Sequence, residues 1–148
     1  MMSGKWSVVA VCSLGRAFAY SCAASFVLLS TLFISCHNEP TPEELASLAA
    51  KGYYEHLAKG EYDAYLEGVN GVAAAPADYR EQLLQGTKLY VERVNRQFQG
   101  IHSVEVSSAR VDSTLHCVNV FLTICFKDST REEVCVPMVE KNGVFLMR

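Results

Sequence analysis

Chemistry at neutral pH needs a side chain that can take up or release a proton inside a protected site. On the apolar stripes of the helical segments in this chain, one ionisable residue other than tyrosine stands out, His56. With Tyr53, Tyr62, Tyr65 and Tyr90 it makes the best pocket constellation the sequence offers: an imidazole base with phenols as partners. The competing reading is structural. A part-buried histidine can simply bond a carbonyl or a phenol, and tyrosines commonly pack by their rings with the hydroxyl at the rim. Asp63 lies off the face made by Tyr62, Tyr65, Leu66 and Val69. Glu132 and Glu140 are in phase with Val134 but fall at strand ends, close to solvent. No carboxylate can therefore be nominated, and no residue is assigned a catalytic role.

Metal chemistry is not expected. His37, His56, His102 and His116 show no helical i, i+4 pairing, and Cys117, Cys125 and Cys135 form no Cys-x-x-Cys. Phosphate loops and nucleophile elbows are also missing, so no cofactor is expected. The cysteines pose a separate question. A five-residue loop that sets Phe126 against Val134 places Cys125 opposite Cys135, and a three-residue loop is expected to leave them diagonal neighbours on one face. A disulfide is therefore expected in an oxidising compartment, with the first register suiting it better. The alternative is three packed, reduced thiols. Cys117 has no evident partner and reads as a buried thiol.

These residues need elements to position them. Thr41 can cap a helix whose first turn holds Pro42, Glu43 and Glu44, and Gly60 ends it. Leu45, Leu48, Ala49, Gly52, Tyr53, His56 and Leu57 share one side of its wheel. A short second helix follows, closed by Asn70-Gly71. The longest helix starts at Pro76-Ala77-Asp78, carries Tyr79, Leu83, Gly86, Tyr90, Val91, Val94 and Phe98 as its apolar stripe, and stops at Gly100. From Ile101 the apolar period becomes two. One strand runs to Val111 through an irregularity at Ser107-Ser108, and a second, from His116 to Phe126, alternates Val118, Val120, Leu122, Ile124 and Phe126 with polar or smaller residues. A third carries Val134, Val136 and Met138, and Asn142-Gly143 is a tight-turn signal before the last. The expected class is α+β: three N-terminal helices packed in a curved antiparallel sheet of about four strands.

The first 36 residues have a different character. Lys5 and Arg16 precede an almost unbroken apolar run over residues 17–35, followed at once by Cys36. Phe33-Ile34-Ser35-Cys36 resembles the bacterial lipobox, with Phe33 in the place usually held by Leu. The resemblance implies a lipoprotein signal peptide over 1–35, lipidation of Cys36 and cleavage before it. An uncleaved signal anchor is the alternative, because residues 17–35 are long enough to span a bilayer. Residues 36–41 then read as the lipidated cysteine and a polar, proline-bearing tether, and 42–148 as the folded domain. His37 is not Asp, so the inner-membrane retention signal is missing. The expected location is the bacterial cell envelope, lipid-anchored, at the outer membrane facing the periplasm.

A chain of 148 residues is one domain by length once the leader is set aside. All 16 acidic residues and eleven of the 13 basic ones lie beyond Cys36, a net formal charge of −5. That balance argues against nucleic acid as a partner.

Three stretches carry a family resemblance: Tyr53-Tyr54-Glu55-His56-Leu57-Ala58-Lys59-Gly60-Glu61-Tyr62, then Gln97-Phe98-Gln99-Gly100-Ile101, then Val139-Glu140-Lys141-Asn142-Gly143-Val144-Phe145. Together they resemble nuclear-transport-factor-2-like domains, in particular small bacterial lipoproteins with an uncharacterised domain of this type. The final Phe145-Leu146-Met147-Arg148 departs from the Trp-Lys-Ile-like strand frequent in that family. The resemblance implies a cone of three helices inside a bent sheet, often with an apolar pocket at its mouth. Two functions are compatible with it. The first is a membrane-anchored, non-catalytic domain binding a small ligand or an envelope protein. The second is a small isomerase, hydratase or lyase using the cone pocket through His56.

Overall fold

The protein is described by a computed structural model over residues 39–148; the expected signal peptide and Cys36 lie outside the described residues. Helix α1 (Pro42–Lys59) starts as its sequence dictates. Thr41 accepts from the Glu44 N–H at 3.2 Å, and the Thr41 N–H donates to Glu44 Oε2 at 2.8 Å, a reciprocal capping box. Gly60, at φ 80°, closes the helix in the left-handed conformation that glycine tolerates best. Its buried residues are Ala46, Ala50 and Leu57; of the expected stripe Leu57 is buried and Ala49 and Tyr53 pack on the core, but Leu45 and Leu48 turn away. Leu45 and Leu48 are 42% and 69% exposed. The physical reason is proximity: two alanines let the α1 backbone lie close on the sheet, which rotates the leucines outward.

Helix α2 (Tyr62–Glu67) and a 3-10 turn (Val72–Ala74) lead into α3 (Ala77–Phe98). Only Val91 and Val94 of α3 are buried, both in its C-terminal half. The upper part of its expected stripe stays open, with Tyr79 and Tyr90 exposed. At its end Gln99 itself turns left-handed, at φ 63°, one residue before the expected Gly100. Gly100 follows at φ 101°, and a Cβ there would lie 2.8 Å from Asn95 Oδ1. Among the described residues no helix is long and apolar enough to cross a membrane.

Four strands follow in an antiparallel sheet of order β1-β2-β3-β4: β1 (Ile101–Asp112), β2 (Cys117–Phe126), β3 (Arg131–Lys141) and β4 (Val144–Met147). The irregularity expected at Ser107-Ser108 is a register shift between Val106 and Ser108. Asn142 and Gly143, both at positive φ, make the tight β3–β4 turn. After α2 the chain ties to β4, where the Asn70 N–H donates to the Met147 carbonyl at 2.8 Å and Met147 N–H to that of Gly68 at 2.7 Å. The helical side of the sheet carries the core: Val104, Val118, Val120, Leu122, Ile124, Val136, Met138, Phe145 and Met147 close on Ala46, Ala50 and Val94. Each such apolar side chain contributes about 1.5–3 kcal/mol by leaving water. Residues Pro40–Arg148 form one compact unit.

The β2–β3 register corrects the expected disulfide. Phe126 donates to the Thr130 carbonyl across a three-residue loop, with Ser129 left-handed at φ 75° and Asp128 Oδ1 accepting from the Thr130 N–H at 2.9 Å. This tight turn pairs Cys125 with Arg131 and Cys135 with Phe121. The two cysteines are thus four positions apart along the strands, about 13 Å at ~3.3 Å per residue, beyond the reach of a disulfide. Cys117, Cys125 and Cys135 are all free thiols, the first two buried and the third exposed.

Candidate functional site

His56 stands at a corner. Its Nδ1 is 2.5 Å from Glu61 Oε2, with the two side chains 40% and 54% exposed. The hydrogen bond from the imidazole holds the Glu61 carboxyl below its ordinary range. The Glu61 N–H also donates to the His56 carbonyl at 2.9 Å, so the pair clasps the turn from α1 to α2. His56 lines neither of the two clefts described next.

The first cleft, about 370 Å³, is bounded by all three helices: Tyr54 and Leu57 from α1, Tyr65 from α2, and Gln82, Leu83, Gly86, Thr87 and Tyr90 from α3. Tyr54 and Tyr65 meet edge to face with ring centroids 5.9 Å apart. Burial raises the pKa of both phenols above the ordinary value, Tyr54 most strongly; Tyr90 adds to both, and the Tyr54–Tyr65 hydrogen bond raises Tyr54 further while drawing Tyr65 part of the way back. Tyr90 is raised too, first by burial and then by the carboxylate of Glu132. All three are therefore neutral phenols near pH 7, able to donate and accept hydrogen bonds but not to act as bases. Thr87 spends its hydroxyl on the Leu83 carbonyl at 2.9 Å.

The second cleft, about 380 Å³, opens where α1 begins. Pro42 meets Val111, Asp112, Ser113, His116, Cys117, Val118, Met138, Glu140 and Phe145 there. Strand alternation aims Val118, Met138, Glu140 and Phe145 to the same side of the sheet, so Glu140 stands beside three apolar side chains. Asp112 Oδ1 accepts the N–H groups of Thr114 and Leu115 at 2.9 and 3.0 Å, which fixes the β1–β2 turn. Cys117 points its thiol toward Asn119 Oδ1 at 3.7 Å.

The structure brings only Tyr65 and Tyr90 of the five sequence candidates into one cavity. Tyr53 points elsewhere, donating to the Phe145 carbonyl at 3.1 Å while its ring covers Gly68. Tyr62 lines a separate polar hollow with Lys59, Asn95 and Lys127. Tyr54 and Glu140 are cleft residues that the sequence reading did not select. A signal existed for each: Tyr54 stands three residues before the buried Leu57, and Glu140 keeps the parity of Met138. Among the described residues, no group of histidines, cysteines and carboxylates is placed to hold a metal.

The architecture defines a class: an α+β domain with three helices and an open, four-stranded antiparallel sheet. No protein-family model and no curated protein matches the sequence. Among solved structures, the chain is similar to a Campylobacter jejuni protein described as an NTF2-like transpeptidase, with a TM-score of 0.53 and 12% identity over 66% of this chain and 92% of that one. At that identity the likeness concerns the fold, which is nuclear-transport-factor-2-like.

Proposed function

We propose that this chain is an envelope lipoprotein, lipidated at Cys36, whose domain binds a small ligand or an envelope partner without catalysing a reaction. The observation that carries the non-catalytic reading is the position of the imidazole–carboxylate contact. His56 and Glu61 lie on an exposed corner outside both clefts, and the tyrosine cleft has neutral phenols as its ionisable groups. In the second cleft Asp112 is engaged by its own turn, while Glu140 stands exposed near a strand end. The isomerase, hydratase or lyase alternative rested on His56 facing a cavity, and it loses that support. The anchor is supported by the apolar run that ends in Ile-Ser-Cys and by the short polar tether before Thr41. Two or more acyl chains, at about 0.8 kcal/mol per buried methylene, would hold the domain at a membrane. Expressed in a bacterial host, the protein should incorporate labelled palmitate and begin at Cys36, and Cys36→Ser should abolish the label. An intact N-terminus on the mature protein would overturn the anchor.

A further inference from the structure

The cleft at the start of α1 combines two surfaces that favour different parts of one ligand. Its floor is apolar, with Val118, Met138 and Phe145 belonging to the core and Val111 forming an exposed side wall. Its charged lining is acidic: Glu140 on the side of Val118 and Met138, and Asp112 at the edge, with no lysine or arginine, leaving His116 as the one basic side chain. Asp112 is held in place by the two backbone N–H groups of its own turn. Glu140 makes no ion pair among the described residues. An uncharged apolar guest would use the floor only. An anion would meet two carboxylates, and a cation carried on an apolar body would satisfy floor and rim together.

We infer that this cleft binds an amphiphilic cation, an alkyl or ring body bearing a protonated amine. The apolar body lies over Met138 and Phe145, and the ammonium sits at Glu140 and Asp112. The net charge of −4 over Pro40–Arg148, eleven basic against fifteen acidic residues, draws such a ligand in at low salt. The inference goes beyond the proposed anchoring and does not depend on lipidation, because every lining residue belongs to the unit Pro40–Arg148.

The test is calorimetric titration of the Pro40–Arg148 unit, which holds the whole core, with decylammonium, decanol and decyl sulfate below micelle formation. Decylammonium should bind about five-fold tighter than decanol, and decyl sulfate more weakly than either. Glu140→Gln should bring decylammonium to within about two-fold of decanol. Val111→Trp, at an exposed wall position, should block all three while thermal unfolding shows the fold intact. The inference fails if decylammonium has no advantage over decanol, if Glu140→Gln keeps that advantage, or if Val111→Trp binds as before.

Discussion

The two clefts have nearly the same volume, about 370 and 380 Å³, and opposite origins. The tyrosine cleft is made by helices, from the exposed upper part of α3 and the ends of α1 and α2 that it overhangs. The cleft at the start of α1, the mouth cleft, is made mostly by strands, and its lining follows from register: Val118 faces Met138, and Glu140 faces Phe145. A helix wall can shift as a body, whereas a register changes only in steps that turn every side chain over. The first cleft is thus set by how helices cross and the second by strand pairing. Their chemistry differs in the same way, neutral phenols in one and carboxylates over an apolar floor in the other.

The largest effect is expected at Met138, fully buried and part of the mouth floor. Met138→Ala should cost about 2–5 kcal/mol in urea unfolding, the transfer loss plus a new void. If the clefts are independent, the phenolate titration of Tyr54 and Tyr65, followed by ultraviolet absorbance, should not move. A shift there would join them into one coupled cavity. Gly68→Ala comes next. Its Cβ would lie 2.4 Å from the Tyr53 ring, so the ring must move and its bond to the Phe145 carbonyl must break. A loss of about 1–3 kcal/mol is expected. Ligand affinity at the mouth should fall with it, since Phe145 lines that cleft.

In the tyrosine cleft, Tyr54→Phe is expected to cost about 1 kcal/mol through the lost hydroxyl. Its pH signature is more specific. Burial raises the folded pKa of Tyr54, Tyr65 and Tyr90 above the unfolded value of about 10. Above that pH the unfolded chain releases phenol protons before the folded one does. The stabilisation is therefore complete below about pH 10 and is lost as pH climbs toward the folded values. Urea midpoints should fall above pH 10, and less steeply in Tyr54→Phe. A wild-type midpoint flat through that range would show that the phenols are open to water. The smallest effect is expected at His56→Gln, within about 0.5 kcal/mol, with binding at either cleft unchanged. Loss of a measurable turnover in that variant would make the protein an enzyme.

Local rules placed the elements and tertiary packing placed the site. The capping box at Thr41 and Glu44, the stop at Gly60, the period-two run from Ile101 and the Asn142-Gly143 turn each act within a few residues, so three helices followed by a four-stranded meander are legible from local signals alone. Strand parity also assigned the inner face correctly from Val118 to Met138. Which helix face turns inward was not local: Ala46 and Ala50 won over Leu45 and Leu48 because close approach to the sheet favours small side chains. The cysteine pairing depended on a loop of three residues, because moving that turn shifts every partner along β3. Gathering Tyr54, Tyr65 and Tyr90 from three helices, and sending His56 to an outer corner with Glu61, required knowing how those helices cross. Periodicity says which residues share a face; only packing decides what that face meets.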